Sequence, residues 1–125
     1  MKVAFSLFAA GAAFLLFANF AAAEDAPSIK GEKVTVKGEV IDVWCFTEGG
    51  DHGAEHKACS TACIKAGNPV GIVDDKGTVY VVMGGLKDHQ PGKELLLDKV
   101  AQIVTVEGTL VDKGGTKILF VTSVK

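Results

Sequence analysis

The stretch Val34-Thr35-Val36-Lys37-Gly38-Glu39-Val40-Ile41-Asp42 returns later in the chain as Val104-Thr105-Val106-Glu107-Gly108-Thr109-Leu110-Val111-Asp112. Both copies alternate apolar and polar residues, the pattern of a strand with one buried face. In the first copy the apolar positions are even-numbered up to Gly38, and Ile41, Val43 and Cys45 then carry the alternation on odd numbers. A change of parity beside a glycine is what a bulge or a coiled bend produces in a long strand. Two long strands, each bent at a central glycine, suit a small closed barrel whose strands coil sharply at the corners. Residues 33–45 are therefore expected to form one strand, with Cys45 on the same side as Ile41 and Val43, and residues 100–112 another. Common strand chemistry and ancestral duplication explain the echo equally well, and either serves the barrel reading.

Working outward, residues 70–73 and 78–83 flank Asp74-Asp75-Lys76-Gly77, a hairpin signal. Residues 116–124 follow Lys113-Gly114-Gly115 and close a second hairpin with the strand before it. Between the hairpins lie a loop, 84–93, and a short helical turn, 94–99. Asp42 and Asp112 read as strand or turn residues, and Asp74-Asp75 as part of a turn. The order strand, strand, strand, short helix, strand, strand is that of the OB-fold, a five-stranded Greek-key barrel. The expected class is thus all-β, a single OB-fold-like domain over residues 33–125, with one helix inserted between the first two strands.

That insertion holds the chemistry. All three cysteines and two of the three histidines fall between Trp44 and Gly71. Taking Asp51 as N-cap and Gly67 as the residue past the end predicts one helix of about four turns. At ~100° per residue, His52, His56, Cys59 and Cys63 then project within an arc of roughly 60°. With Cys45 arriving from the strand end, Cys45, His56, Cys59 and Cys63 make a Cys3His set for Zn2+, and a thiolate-rich site also suits Cu+. His52 is a further ligand or an outer-shell group, and His89 can approach from a converging loop.

Other uses of the same residues stand beside this one. Cysteine is often a small buried hydrophobe, and Ala58, Ala62 and Ala66 flank the cysteine stripe to make a core face without metal. A disulfide of Cys45 with Cys59 or Cys63 leaves one thiol over; Cys59 and Cys63, one helical turn apart, are poorly placed for a bridge. Thiol redox activity is a third use. Trp44 and Phe46 either shield Cys45 or pack in the core. Covalent haem is excluded, because Ile64 stands where a histidine is needed directly after the second cysteine.

At the start of the chain Lys2 precedes an apolar run, 3–23, ending in Ala21-Ala22-Ala23 before Glu24-Asp25. A positive start, an apolar centre and small residues at −3 and −1 describe a secretory signal peptide, 1–23, rather than a retained membrane anchor. A short lead-in, 24–32, follows, and the remaining chain of about 102 residues fits one domain with a modest core. It contains no arginine and mixes lysines with acidic residues, which leaves no electrostatic footprint for nucleic acid and no basic patch for a membrane surface. Export puts the thiols in an oxidising compartment, the periplasm or outside the cell.

Gly38-x-Val40-x-Asp42-x-x-Cys45, His56-x-x-Cys59-x-x-x-Cys63 and Gly67-x-Pro69-x-Gly71 resemble a group of small secreted bacterial OB-fold-like proteins of unassigned function. The resemblance implies the barrel and export and transfers no activity. No Ser/His/Asp order, phosphate loop or pair of catalytic carboxylates stands out. The expected function is metal binding in a carrier or structural role, not catalysis. Its rival is a disulfide-stabilised adaptor whose barrel recognises a peptide or an envelope component.

Overall fold

The computed structural model describes residues 29–84 and 89–125. The expected signal peptide, 1–23, and the first part of the lead-in lie outside the described residues. Five strands, β1 (Glu32–Asp42), β2 (Val70–Val73), β3 (Val79–Met83), β4 (Ile103–Lys113) and β5 (Thr116–Val124), close a barrel in the order β1-β2-β3-β5-β4. The two repeated stretches are neighbours: β1 and β4 run antiparallel with Val36 opposite Val106 and Gly38 opposite Val104. β3 and β5 pair in parallel, and the remaining neighbours are antiparallel.

Both glycines sit where the strands are forced to bend. Up to Glu39, β1 pairs with β4, and from Glu39 to Asp42 it pairs with β2. Gly38, just before that change of partner, is buried against the backbone of Val73. In β4 the register against β5 slips between Glu107 and Gly108, where the Phe120 carbonyl leaves no room for a side chain. β4 begins at Ile103, three residues later than the apolar pattern suggests, because Ala101 turns the chain at φ 62°. Ala101 N–H donates to Val40 O and Val40 N–H to Gln102 O, so this turn still seals the edge of β1.

Inward side chains fill the barrel, among them Val40, Ile72, Val106 and Leu119, each at most 1% exposed. Helix α3 (Gly92–Leu96), between β3 and β4, drives Leu96 into this core, with Val100 beside it.

Two helices, not one, separate β1 from β2. The strand expected to reach Cys45 stops at Asp42, and α1 (Val43–Gly49) begins at once. Val43, Trp44 and Phe46 are good strand formers, yet the ends of the segment decide against them. The Asp42 side chain accepts the Cys45 N–H at 2.7 Å, an N-cap, and Gly50 closes the helix at φ 77° with its N–H on Cys45 O and Phe46 O. Nor does the expected four-turn helix run unbroken from Asp51. Gly53 turns the chain at φ 82° and gives its N–H to Glu39 Oε1, so a 3-10 turn (Ala54–His56) leads into α2 (Lys57–Ala66). His52 therefore precedes the helix, and His56 stands at its N-cap position. Among the described residues no helix is long and apolar enough to cross a membrane.

Candidate metal centre

α2 meets the barrel through Ser60 and Ile64, its only buried residues. Ala58, Ala62 and Ala66, which the sequence offered as a core face, are exposed. The cysteines lie off the buried face: Cys59 is exposed, Cys63 half-buried, and so is Cys45 on α1. A cysteine serving as a packed hydrophobe sits in the core, and none of these does.

They are nevertheless together. The three sulfurs all lie within 4.8 Å of one another, and none is in a disulfide. Three hydrogen bonds set this up. Asp42 starts α1 so that Cys45 occupies its first turn; Val43 N–H donates to Pro69 O at 3.0 Å, tying the root of α1 to the exit of α2; Asn68 Nδ2 donates to Asp42 Oδ1 at 3.4 Å. Cys59 and Cys63, four residues apart, share one edge of α2 and face Cys45 across the gap.

At Cys45 and Cys63 the electrostatics favour the protonated thiol until something displaces the proton. Burial, reinforced by the Asp42 carboxylate and then by Cys63, pushes Cys45 up to about 12. Burial raises Cys63 too; the Cys45 thiol works against this, while Cys59 and Asp42 add to it. A thiolate here needs a cation, and a metal ion that binds releases protons as it does so.

The histidines are placed elsewhere. His56 is outside the set within 4.8 Å and has Nε2 3.7 Å from Asp51 Oδ1. His52 Nδ1 is 3.0 Å from Glu39 Oε2, and its ring meets Phe46 edge-on at 5.8 Å between centroids. With Gly53 N–H on Oε1, Glu39 uses both oxygens to hold the loop ahead of α2. His89 is exposed, at φ 44° in the loop before α3. Trp44 does not pack in the core: it is 63% exposed, with Nε1 donating to Glu48.

Asp42 is the residue whose part sequence reasoning underrates. It is 0% exposed, and its Oδ2 is buried without a hydrogen-bond partner. The signal was present in Asp42-x-x-Cys45, the spacing from an N-cap to the amide it satisfies. Comparison with known proteins finds no matching family model, no matching curated protein and no matching solved structure.

Proposed function

We propose that this chain is an exported, periplasmic or secreted, OB-fold-like protein that binds one thiophilic metal ion, Zn2+ or Cu+, through Cys45, Cys59 and Cys63. The observation that carries the reading is three sulfurs within 4.8 Å, drawn from two helices onto a face that the core does not use. A tetrahedral thiolate site with Zn–S near 2.3 Å has sulfur–sulfur edges of about 3.8 Å, so modest closure suffices. The strand order, with β3 parallel to β5 and a short helix before β4, supports the OB-fold assignment. The apolar leader supports export.

The role is carrier or structural rather than catalytic, with no nucleic acid involved. Exposure of Cys59 favours exchange of the ion with an envelope partner. Titration of the reduced protein with Zn2+ and with Cu+ tests this, and one equivalent bound more tightly than about micromolar is the expected result. Uptake of neither metal, with one free thiol counted in the isolated protein, overturns it in favour of the disulfide-stabilised adaptor.

A further inference from the structure

Three thiolates leave a tetrahedral ion one donor short, and the buried side chain beside them is Asp42. Its two oxygens are used unequally. Oδ1 accepts from Cys45 N–H at 2.7 Å and Asn68 Nδ2 at 3.4 Å. Oδ2 is fully buried and accepts nothing. Buried carboxylates pair, accept hydrogen bonds or coordinate metals, since an unsatisfied charge in the interior is costly. Among the described residues, Oδ2 is the one buried side-chain oxygen or nitrogen left without a partner. Hydrogen bonds tie the carboxylate to the residues that carry two of the sulfurs: Oδ1 holds the Cys45 N–H, and Asn68, whose side chain donates to Oδ1, gives its backbone N–H to Cys63 O.

We propose that Asp42 Oδ2 is the fourth donor of the centre, making it a Cys3Asp site that takes a divalent ion, Zn2+, in preference to Cu+. This rests on the metal reading above and narrows it. Zn2+ takes carboxylate oxygen alongside thiolate and can complete four-coordination with it. Cu+ is satisfied by soft sulfur and gains little from a hard oxygen. Charge points the same way, because three thiolates and a carboxylate are better compensated by two positive charges than by one. The set within 4.8 Å contains sulfur alone, so binding draws the triangle onto the carboxylate. His56, the other candidate for the fourth position, is partly exposed, with Nε2 3.7 Å from Asp51 Oδ1.

Asp42→Asn separates a ligand from a helix cap. Asparagine caps as well as aspartate, so Cys45 keeps its place on α1, while an amide nitrogen replaces one carboxylate oxygen. The reduced wild-type, Asp42→Asn and His56→Ala proteins are titrated with Zn2+ and Cu+ against competing chelators, and with Co2+ as a spectroscopic probe. Asp42→Asn is expected to weaken Zn2+ by about tenfold or more, at least the loss seen when outer-shell partners are removed, and to leave Cu+ within about twofold. The Co2+ ligand-field bands should shift, with the sulfur-to-cobalt charge transfer of three thiolates retained. His56→Ala should hold Zn2+ as the wild type does.

Unchanged Zn2+ affinity in Asp42→Asn, equal losses for both metals, or a loss carried by His56→Ala overturns the inference. X-ray absorption of the Zn2+-loaded wild type tests it independently of any variant's folding: three sulfurs and one oxygen are expected, and an imidazole shell overturns it. A wild type that takes up no metal removes the proposed function together with the fourth donor. A wild type that binds Zn2+ with Asp42→Asn unchanged removes the fourth donor alone.

Discussion

Replacing Gly38 by alanine tests the bend on which the barrel depends. A Cβ at this position would lie 2.7 Å from Ile72 Cγ2 and 2.8 Å from the carbonyl carbon of Val73, and closer still to the Val73 oxygen. The carbonyl has little room to move, because Val73 pairs with Glu39 of β1 on one side and Val79 of β3 on the other. Overpacking of this kind costs roughly 1–3 kcal/mol, and the cost falls at the upper end when backbone must shift. Against it stands the reduced freedom of the unfolded chain, about 0.5–1 kcal/mol in alanine's favour. The net expectation is a loss of about 2 kcal/mol, or roughly 8–16 °C in Tm for a domain of this size. Urea unfolding followed by circular dichroism measures it, with a lower midpoint and an unchanged slope. Gly77→Ala is the control for conformation without crowding: at φ 78° with nothing within 4 Å of the new Cβ, it should cost about 1 kcal/mol. A Gly38→Ala protein as stable as wild type, or more stable than Gly77→Ala, would refute the close-approach argument.

Leu119 is fully buried at the centre of the barrel, so Leu119→Ala should lose about 2–5 kcal/mol in the same assay; a loss under about 1 kcal/mol would mean the interior is not packed around it. Asp74 should make stability depend on acid. Burial raises its pKa, but the N–H groups of Thr78 and Lys76 and the Tyr80 hydroxyl outweigh that and hold it below the ordinary aspartate value. A lowered folded-state pKa contributes stability above the unfolded value of about 3.9, lost as pH falls through the folded one. Wild type should therefore lose more stability than Asp74→Asn between about pH 5 and pH 2, and parallel curves would exclude the effect. Alkylation of the metal-free protein should modify exposed Cys59 before Cys45, whose thiol is pushed up to about 12; mass spectrometry showing Cys45 first would contradict the geometry.

The barrel was legible because its evidence is periodic. Alternation in the repeated stretch, two turn-forming clusters and a bend glycine in each long strand identify strands that structure then pairs as neighbours. Boundaries were legible only where a local signal outweighed propensity. Val43-Trp44-Cys45-Phe46 reads as strand by composition, and it is helix because one aspartate caps it and one left-handed glycine ends it. Gly53 likewise breaks the helix over which His52, His56, Cys59 and Cys63 keep a helical spacing. The spacing expects Cys45, Cys59 and Cys63 to meet together with His56; the three cysteines do meet, with Cys45 on a helix and not on a strand end, and His56 stands outside the set. What a single sequence could not reveal was the burial of Asp42, because a carboxylate before a helix usually stays in water, and only the folded chain, with α2 laid against β1, removes this one from it.

That arrangement makes the two helices the part of the molecule that a metal would change most. α1 buries no residue and α2 only Ser60 and Ile64, so they contribute little to the core that holds the strands. A bond from Cys45 to an ion shared with Cys59 and Cys63 would join α1 to α2 directly and give both a stability that packing does not supply. Free ion at about a hundred times its dissociation constant stabilises the folded state by about 2.7 kcal/mol, and local opening of the helices should be suppressed in the same measure. Amide hydrogen exchange resolves this by segment. On addition of Zn2+, amides of residues 43–66 should slow by up to about a hundredfold, with those that exchange only by global unfolding, in β1 and β4, slowed by no more than the global term. Protection distributed through the strands and absent from 43–66 would place the ion elsewhere and separate it from the cysteines.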